Sequence, residues 1–262
     1  MTDHPGVDLT GPTWALIGVI GAMIGSFLNV CIHRLPRGQS VVWPASACPA
    51  CTRALSWYEN VPIVAWLALR GRCRTCDARI SVRYPLIEAV TAVMFLAAWL
   101  HYGPGVMLVS RLLLGCALIV LFAIDLEHHL LPNVITLPGI AVGFAFSFFA
   151  GPGWLSSLLG ILVGGGLLFA VAEAYYRWRH VEGLGMGDVK MLAMVGAFLG
   201  WPATLMTLTM GSIAGSAIGL LVIALRRGDM KYALPFGTFL ALGAAISATV
   251  GPNLLNWYLG LW

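Results

Sequence analysis

From Thr13 to Ile32 the chain passes through twenty residues without an Asp, Glu, Lys, Arg or His, and then at once meets His33, Arg34 and Arg37. At about 1.5 Å per residue, a helix of that length reaches across the roughly 30 Å hydrocarbon core of a bilayer. Similar runs recur at Leu86 to Trp99, Val106 to Ile124, Val134 to Ala150, Trp154 to Tyr176, Ala203 to Leu225 and Pro235 to Val250, with a shorter one from Met191 to Gly200. With 59% of its 262 residues hydrophobic and 10% charged, the chain cannot be an ordinary soluble domain. The expected fold class is an all-α polytopic membrane protein with about eight transmembrane helices.

Basic residues set the expected orientation. With the amino terminus outside, every Lys and Arg except Arg111 falls in or beside a cytoplasmic loop. That placement accounts for the net charge of +4 without a nucleic-acid partner. Arg111 is expected to snorkel to the outer interface. The head, Met1 to Pro12, lacks the basic start of a cleavable signal peptide.

Between the first two runs the composition turns polar. Residues 34–85 carry Arg53, Arg70, Arg72, Arg74, Arg79 and Arg83 and form a separate cytoplasmic module, dividing the chain into 1–33, 34–85 and 86–262. Its pairs Cys48-Pro-Ala-Cys51 and Cys73-Arg-Thr-Cys76 have the spacing of a tetrahedral structural zinc site, a redox pair being the alternative. An apolar stretch of about ten residues within Trp57 to Arg70 is too short to span and is expected to rest against the membrane.

Two acidic positions invite chemistry. Asp125 ends an inward-running span, and Asp188 opens an outward-running one after Gly183-Leu-Gly185-Met-Gly187. The span containing Asp188 is expected to start at or before these glycines, placing the carboxylate in the cytoplasmic half of the membrane, where an ionisable side chain signals function. The simpler reading makes Asp188 a helix cap beside Lys190. If the two helices are neighbours, the carboxyls can share a proton as an aspartyl-protease pair does. His128 and His129 could instead join Asp125 on a metal, although adjacent histidines face different sides of a helix. Glu88 is expected in the first turn of its helix, as a cap or a site residue. Asn29 suits an interhelical hydrogen bond or a site role, and Glu173 an ordinary pair with Arg177.

These residues together resemble the bacterial prepilin leader peptidases, polytopic GxGD aspartyl proteases. The resemblance runs through Gly25-Ser-Phe-Leu-Asn-Val30, the cysteine pairs, Arg83-Tyr-Pro-Leu-Ile-Glu88, Asp125 to Pro138, Gly185-Met-Gly-Asp-Val-Lys190 and Pro235-Phe-Gly237. It implies Asp125 and Asp188 as the catalytic pair, with Gly185 and Gly187 as active-site backbone. It also implies a bacterial inner-membrane location, prepilins or type II secretion pseudopilins as substrates, and S-adenosylmethionine-dependent methylation of the new amino terminus. Glu88 and Lys190 are accessory candidates for methyl transfer. Departures stand at His128-His129, at Leu131-Pro132-Asn133, where Ile-Pro-Asp is expected, and at Thr238, which replaces a common Pro. All are expected to lie clear of the carboxylates. Peptidase activity without methylation, an ion- or proton-coupled transporter using both acids, and a non-enzymatic assembly factor are the competing readings.

Overall fold

The computed structural model describes residues 11–180, 185–225 and 234–251, together with 253, 254 and 257. The described residues form helices and loops with no strand, only two isolated bridges. The helices are α1 (Gly11–Arg34), α2 (Val64–Ala68), α3 (Arg83–Tyr102), α4 (Val106–His128), α5 (Asn133–Phe146), α6 (Trp154–Arg179), α7 (Met186–Leu199), α8 (Trp201–Leu225) and α9 (Phe236–Thr249). The chain divides into two compact units, Met1–Leu108 and Val109–Trp262.

Every apolar run read from the sequence becomes a helix. Five helices, α1, α3, α4, α6 and α8, are long and apolar enough to cross a membrane. The molecule is an all-α polytopic membrane protein. Its remaining apolar helices, α5, α7 and α9, have 14 residues each, about 21 Å of helix.

In the first unit, α1 packs along α3, and the polar module joins them. Asn29 makes the anticipated interhelical bond, its Nδ2 donating to the Tyr84 carbonyl at 3.0 Å.

The second unit is organised around α7. Every residue from Met191 to Leu199 is buried, among α5, α6, α8 and α9. Such a helix can be shorter than the bilayer because protein, rather than lipid, surrounds it from Met191 to Leu199. At its carboxyl end the Arg111 guanidinium donates to the Phe198 carbonyl at 3.1 Å. Arg111 therefore completes an orphan carbonyl of a helix terminus, where a cation is favoured, rather than snorkelling away. The approach of α6 to α7 is tightest where Gly160 meets Gly196. A Cβ on Gly196 would fall on the Gly160 carbonyl and within 2.9 Å of the Ile161 nitrogen, so the two backbones meet with no side chain between them. Glu173 and Arg177 form the expected pair on α6, Nε to Oε1 at 2.7 Å.

Candidate active site and metal centre

The start of α7 differs from the sequence expectation. Gly185 is an extended N-cap (φ −71°, ψ 136°), and the helix begins at Met186, within the glycine stretch. Gly183 lies outside the described residues. Asp188 thus stands in the first turn, buried, with its Oδ2 turned back on the N-cap: a Cβ on Gly185 would be 3.3 Å from it. The cap-like geometry and the buried position coexist in one side chain.

Asp125 lies on the last turn of α4, 5% exposed. Its Oδ2 accepts two hydrogen bonds from Thr238, at 2.6 Å from the amide and 3.0 Å from the hydroxyl. Thr238 is the third residue of α9, so its amide is one of the donors that a helix amino terminus leaves unpaired within the helix. Leu131 links the two neighbourhoods, standing against Gly187, the residue before Asp188, and against Gly237, which borders Asp125. Leu131 packs against two glycines: a Cβ on Gly187 would stand 2.9 Å from the Leu131 Cβ, and one on Gly237 2.8 Å from its Cδ1 and 3.0 Å from Asp125 Oδ2. A side chain at 187 would run into Leu131, and one at 237 into Leu131 and the Asp125 carboxyl.

Two departures from the family pattern therefore touch the site, contrary to the sequence expectation. Thr238 binds Asp125 directly, and Leu131 packs against Gly187 and Gly237. The signal was the motif Pro235-Phe-Gly237 immediately before Thr238, whose hydroxyl has a reason to be there only once α9, packed on α7 and α8, brings its first turn to Asp125. The Lys190 ammonium donates to Asn133 Oδ1 at 2.9 Å, tying α7 to the first residue of α5. His128 approaches Glu127 at 3.9 Å, and among the described residues neither His128 nor His129 joins Asp125 in a metal-binding cluster.

Glu88 is the sixth residue of α3, because that helix starts at Arg83; no acidic residue occupies its first turn. It is not a helix cap. Buried instead, its Oε2 accepts the Ile63 amide at 2.7 Å, and Ser26 of α1 hydrogen-bonds the same carboxylate.

The module brings its four cysteines together. Their sulfurs all lie within 4.8 Å of one another, with Cys48 to Cys76 at 3.8 Å and Cys51 to Cys73 at 4.0 Å. A disulfide needs about 2.05 Å, whereas metal–sulfur bonds of about 2.3 Å in a tetrahedron place the sulfurs about 3.8 Å apart. The residues fit a four-thiolate metal site.

Each pair sits on the same local fold. Cys48 N donates to Arg53 O and Thr52 N to Cys48 O, both at 2.9 Å; Cys73 N donates to Ala78 O at 2.9 Å and Asp77 N to Cys73 O at 3.0 Å. Thr52 and Asp77 both take positive φ, 55° and 58°. Backbone amides of Cys76 and Thr75 hold the Cys73 thiol down from 9.0 to about 6, favouring the thiolate a metal requires. Cys31 and Cys116 are free and stand apart in α1 and α4.

Comparison with known proteins adds to this geometry. Residues 19–102 match the Bacterial Peptidase A24 N-terminal domain and residues 112–220 the Type IV leader peptidase family. A relative from Aeromonas hydrophila, named Prepilin leader peptidase/N-methyltransferase, is 36% identical over 94% of this chain and 93% of its own length. The chain belongs to the type IV leader peptidase family. Proteins of the same name from Myxococcus xanthus and Pseudomonas aeruginosa are 44% and 34% identical, over 81% and 92% of this chain. The chain spans 64% of the Myxococcus relative and 91% of the Pseudomonas one. No solved structure matches it. In this type IV leader peptidase family member, the leader peptidase match contains both Asp125 and Asp188, and the N-terminal match contains all four clustered cysteines.

Proposed function

We propose that this chain is a membrane-embedded aspartyl endopeptidase that removes leader peptides from type IV prepilins or type II secretion pseudopilins, and then methylates the new amino terminus with S-adenosylmethionine. The observation that supports the reading is a pair of buried carboxyls, Asp125 on the last turn of α4 and Asp188 on the first turn of α7, with Leu131 packed against Gly187 beside the one and Gly237 beside the other. In the proposed reaction one carboxylate takes a proton from water as the oxygen attacks the scissile carbonyl. The other, protonated, donates a hydrogen bond to that carbonyl and later supplies the proton to the leaving amine as the C–N bond breaks. The pair titrates as a unit, and Thr238 holds one oxygen of Asp125 in place while it does so. Gly185 and Gly187 keep the substrate side of Asp188 open to a peptide backbone.

Cys48, Cys51, Cys73 and Cys76 would hold a structural zinc ion, whose binding energy would be folding energy for the 34–85 module. The functional divisions 1–33, 34–85 and 86–262 follow: entry helix, metal module and peptidase core. Basic residues of the module and of the α1 end favour a cytoplasmic module, an external amino terminus and residence in the bacterial inner membrane. S-adenosylmethionine supplies the methyl group; the new N–CH3 bond forms as its S–CH3 bond breaks, and the amine gives up a proton. Glu88 and Lys190 are assigned to positioning, since each is engaged by a neighbouring group.

Purified protein in detergent, incubated with a membrane-anchored prepilin, is expected to yield the shortened product. Mass spectrometry with S-adenosylmethionine present should show one added methyl group on it. Complete cleavage with an unmodified terminus would leave a peptidase only, and no cleavage would overturn the reading.

A further inference from the structure

Glu88 lies five residues beyond Arg83, the first residue of α3, and so about 7.5 Å along that helix. The 20 residues of α3 match the roughly 30 Å thickness of a hydrocarbon core. Because the Glu88 carboxylate, leaning back toward the start of α3, holds the Ile63 amide at 2.7 Å, the residue preceding α2 is fixed beside the first two turns of α3. The chain turns sharply there. Ile63 has φ 61° and ψ −52°, and Val64 N donates to Pro62 O, so a tight three-residue turn starts α2 at the carboxylate.

From Val61 to Leu69 the segment has no charged residue, Glu59 and Arg70 flanking it. Its exposed positions are Val61, before the turn, and Val64, Leu67 and Ala68 on one side of α2, with Val64 and Leu67 each 61% exposed. The opposite side faces its own module: Trp66 Nε1 donates to Ile80 O at 3.2 Å, and its ring lies against Gly71. Trp57, just upstream, is 82% exposed. A soluble loop would not present such a face to water, and α3 presents Leu86, Val90 and Val93 outward over the same depth.

We infer that α2 is an interfacial anchor: the buried Glu88–Ile63 bond sets the segment Val61–Leu69 at the headgroup–acyl boundary, with Val61, Val64 and Leu67 immersed in lipid. The occupant of this face is the bilayer that already surrounds α3. The first two turns of the spanning helix α3 lie where interfacial helices bury their apolar side, about 5–10 Å deep, and Trp57 has the ring type enriched at that boundary. The four-cysteine module is thereby held flat against the membrane at a set height.

The test uses full-length protein in nanodiscs of phosphatidylethanolamine and phosphatidylglycerol. A nitroxide is attached through an unnatural keto amino acid, leaving the cysteines alone, at the position of Leu67, and in separate samples of Leu86 on α3 and of Thr75 in the second cysteine pair. Power saturation should show the label at 67 relaxed by oxygen, like that at 86, and the label at 75 relaxed by the water-soluble nickel chelate. Glu88→Ala should shift position 67 toward nickel accessibility with the module's metal content unchanged. Nickel accessibility at 67 in the unaltered background overturns the inference, as does protection from both reagents, which would mean protein covers the face. If Glu88→Ala loses its metal and unfolds the module, the comparison of 67, 75 and 86 decides.

Discussion

Thr238 donates two hydrogen bonds, one from its amide and one from its hydroxyl, to the same oxygen of Asp125, 113 positions earlier in the chain. Hydrogen bonds to a charged group contribute about 1.5–3 kcal/mol, and about 1.4 kcal/mol is a factor of ten in rate. Thr238→Val keeps the amide and loses the hydroxyl, so kcat for leader cleavage should fall roughly 10- to 100-fold with KM little changed. Thr238→Ser should restore most of it. Equal kcat for the Val variant and the parent would show that the hydroxyl bond has no part in catalysis.

Asp125→Asn and Asp188→Asn should each abolish cleavage while the protein accumulates in membranes at near-normal amounts. Because the two groups act as one proton-sharing unit, the double variant should be no worse than either single one. The Asp188→Asn protein should still methylate a synthetic, pre-cleaved substrate. Measurable peptide-bond cleavage by either purified single variant would remove the pair from the mechanism.

Gly196→Ala should lower the thermal midpoint of the detergent-solubilised protein by several degrees or prevent its accumulation. The added methyl meets the Gly160 carbonyl and the Ile161 nitrogen, which are backbone atoms and cannot swing aside as a flexible side chain would. Overpacking of this kind costs about 1–3 kcal/mol even where side chains yield. Differential scanning fluorimetry against the parent is the check, and an unchanged midpoint would mean that α6 and α7 separate freely.

The metal module should be pH-sensitive in a defined direction. The Cys73 thiol is depressed from 9.0 to about 6 by the amides of Cys76 and Thr75. The stabilisation of its thiolate is therefore complete above the unfolded value, near pH 9, declines as the pH falls between the two, and is absent below about 6. Protons then compete with metal for the sulfurs, so zinc should be retained at neutral pH and released as the pH falls. Zinc content after dialysis across this range gives the answer. Cys51→Ser should lose most of the metal at any pH, leaving the membrane helices folded.

Much of this architecture is legible in one dimension. A run such as Thr13 to Ile32 can satisfy its backbone in lipid only as a helix, so length and polarity alone mark the element. The cysteine pairs are similarly local, since two residues between thiols suffice to build each half of the metal site. Local information does not reveal where a helix begins when neighbouring segments compete to cap it. Glu88 falls in the sixth position of α3 and not the first turn because the helix extends back through Tyr84 and Pro85 to Arg83. The start of α7 at Met186, just after Gly185, has the same origin.

By itself, then, the sequence determined an all-helical membrane chain, a four-cysteine module and two acids at the ends of apolar runs, because hydropathy and short-range spacing are properties of neighbouring residues. Only the tertiary structure decided what those acids touch. Thr238 reaches Asp125 through the docking of α9, Leu131 lies beside Gly187 and Gly237, and Arg111 closes the end of α7. Glu88 meets Ile63, 25 positions earlier in the chain. Each of these contacts depends on how helices pack side by side, and packing is set by the summed shape of two surfaces, which no single stretch of chain encodes.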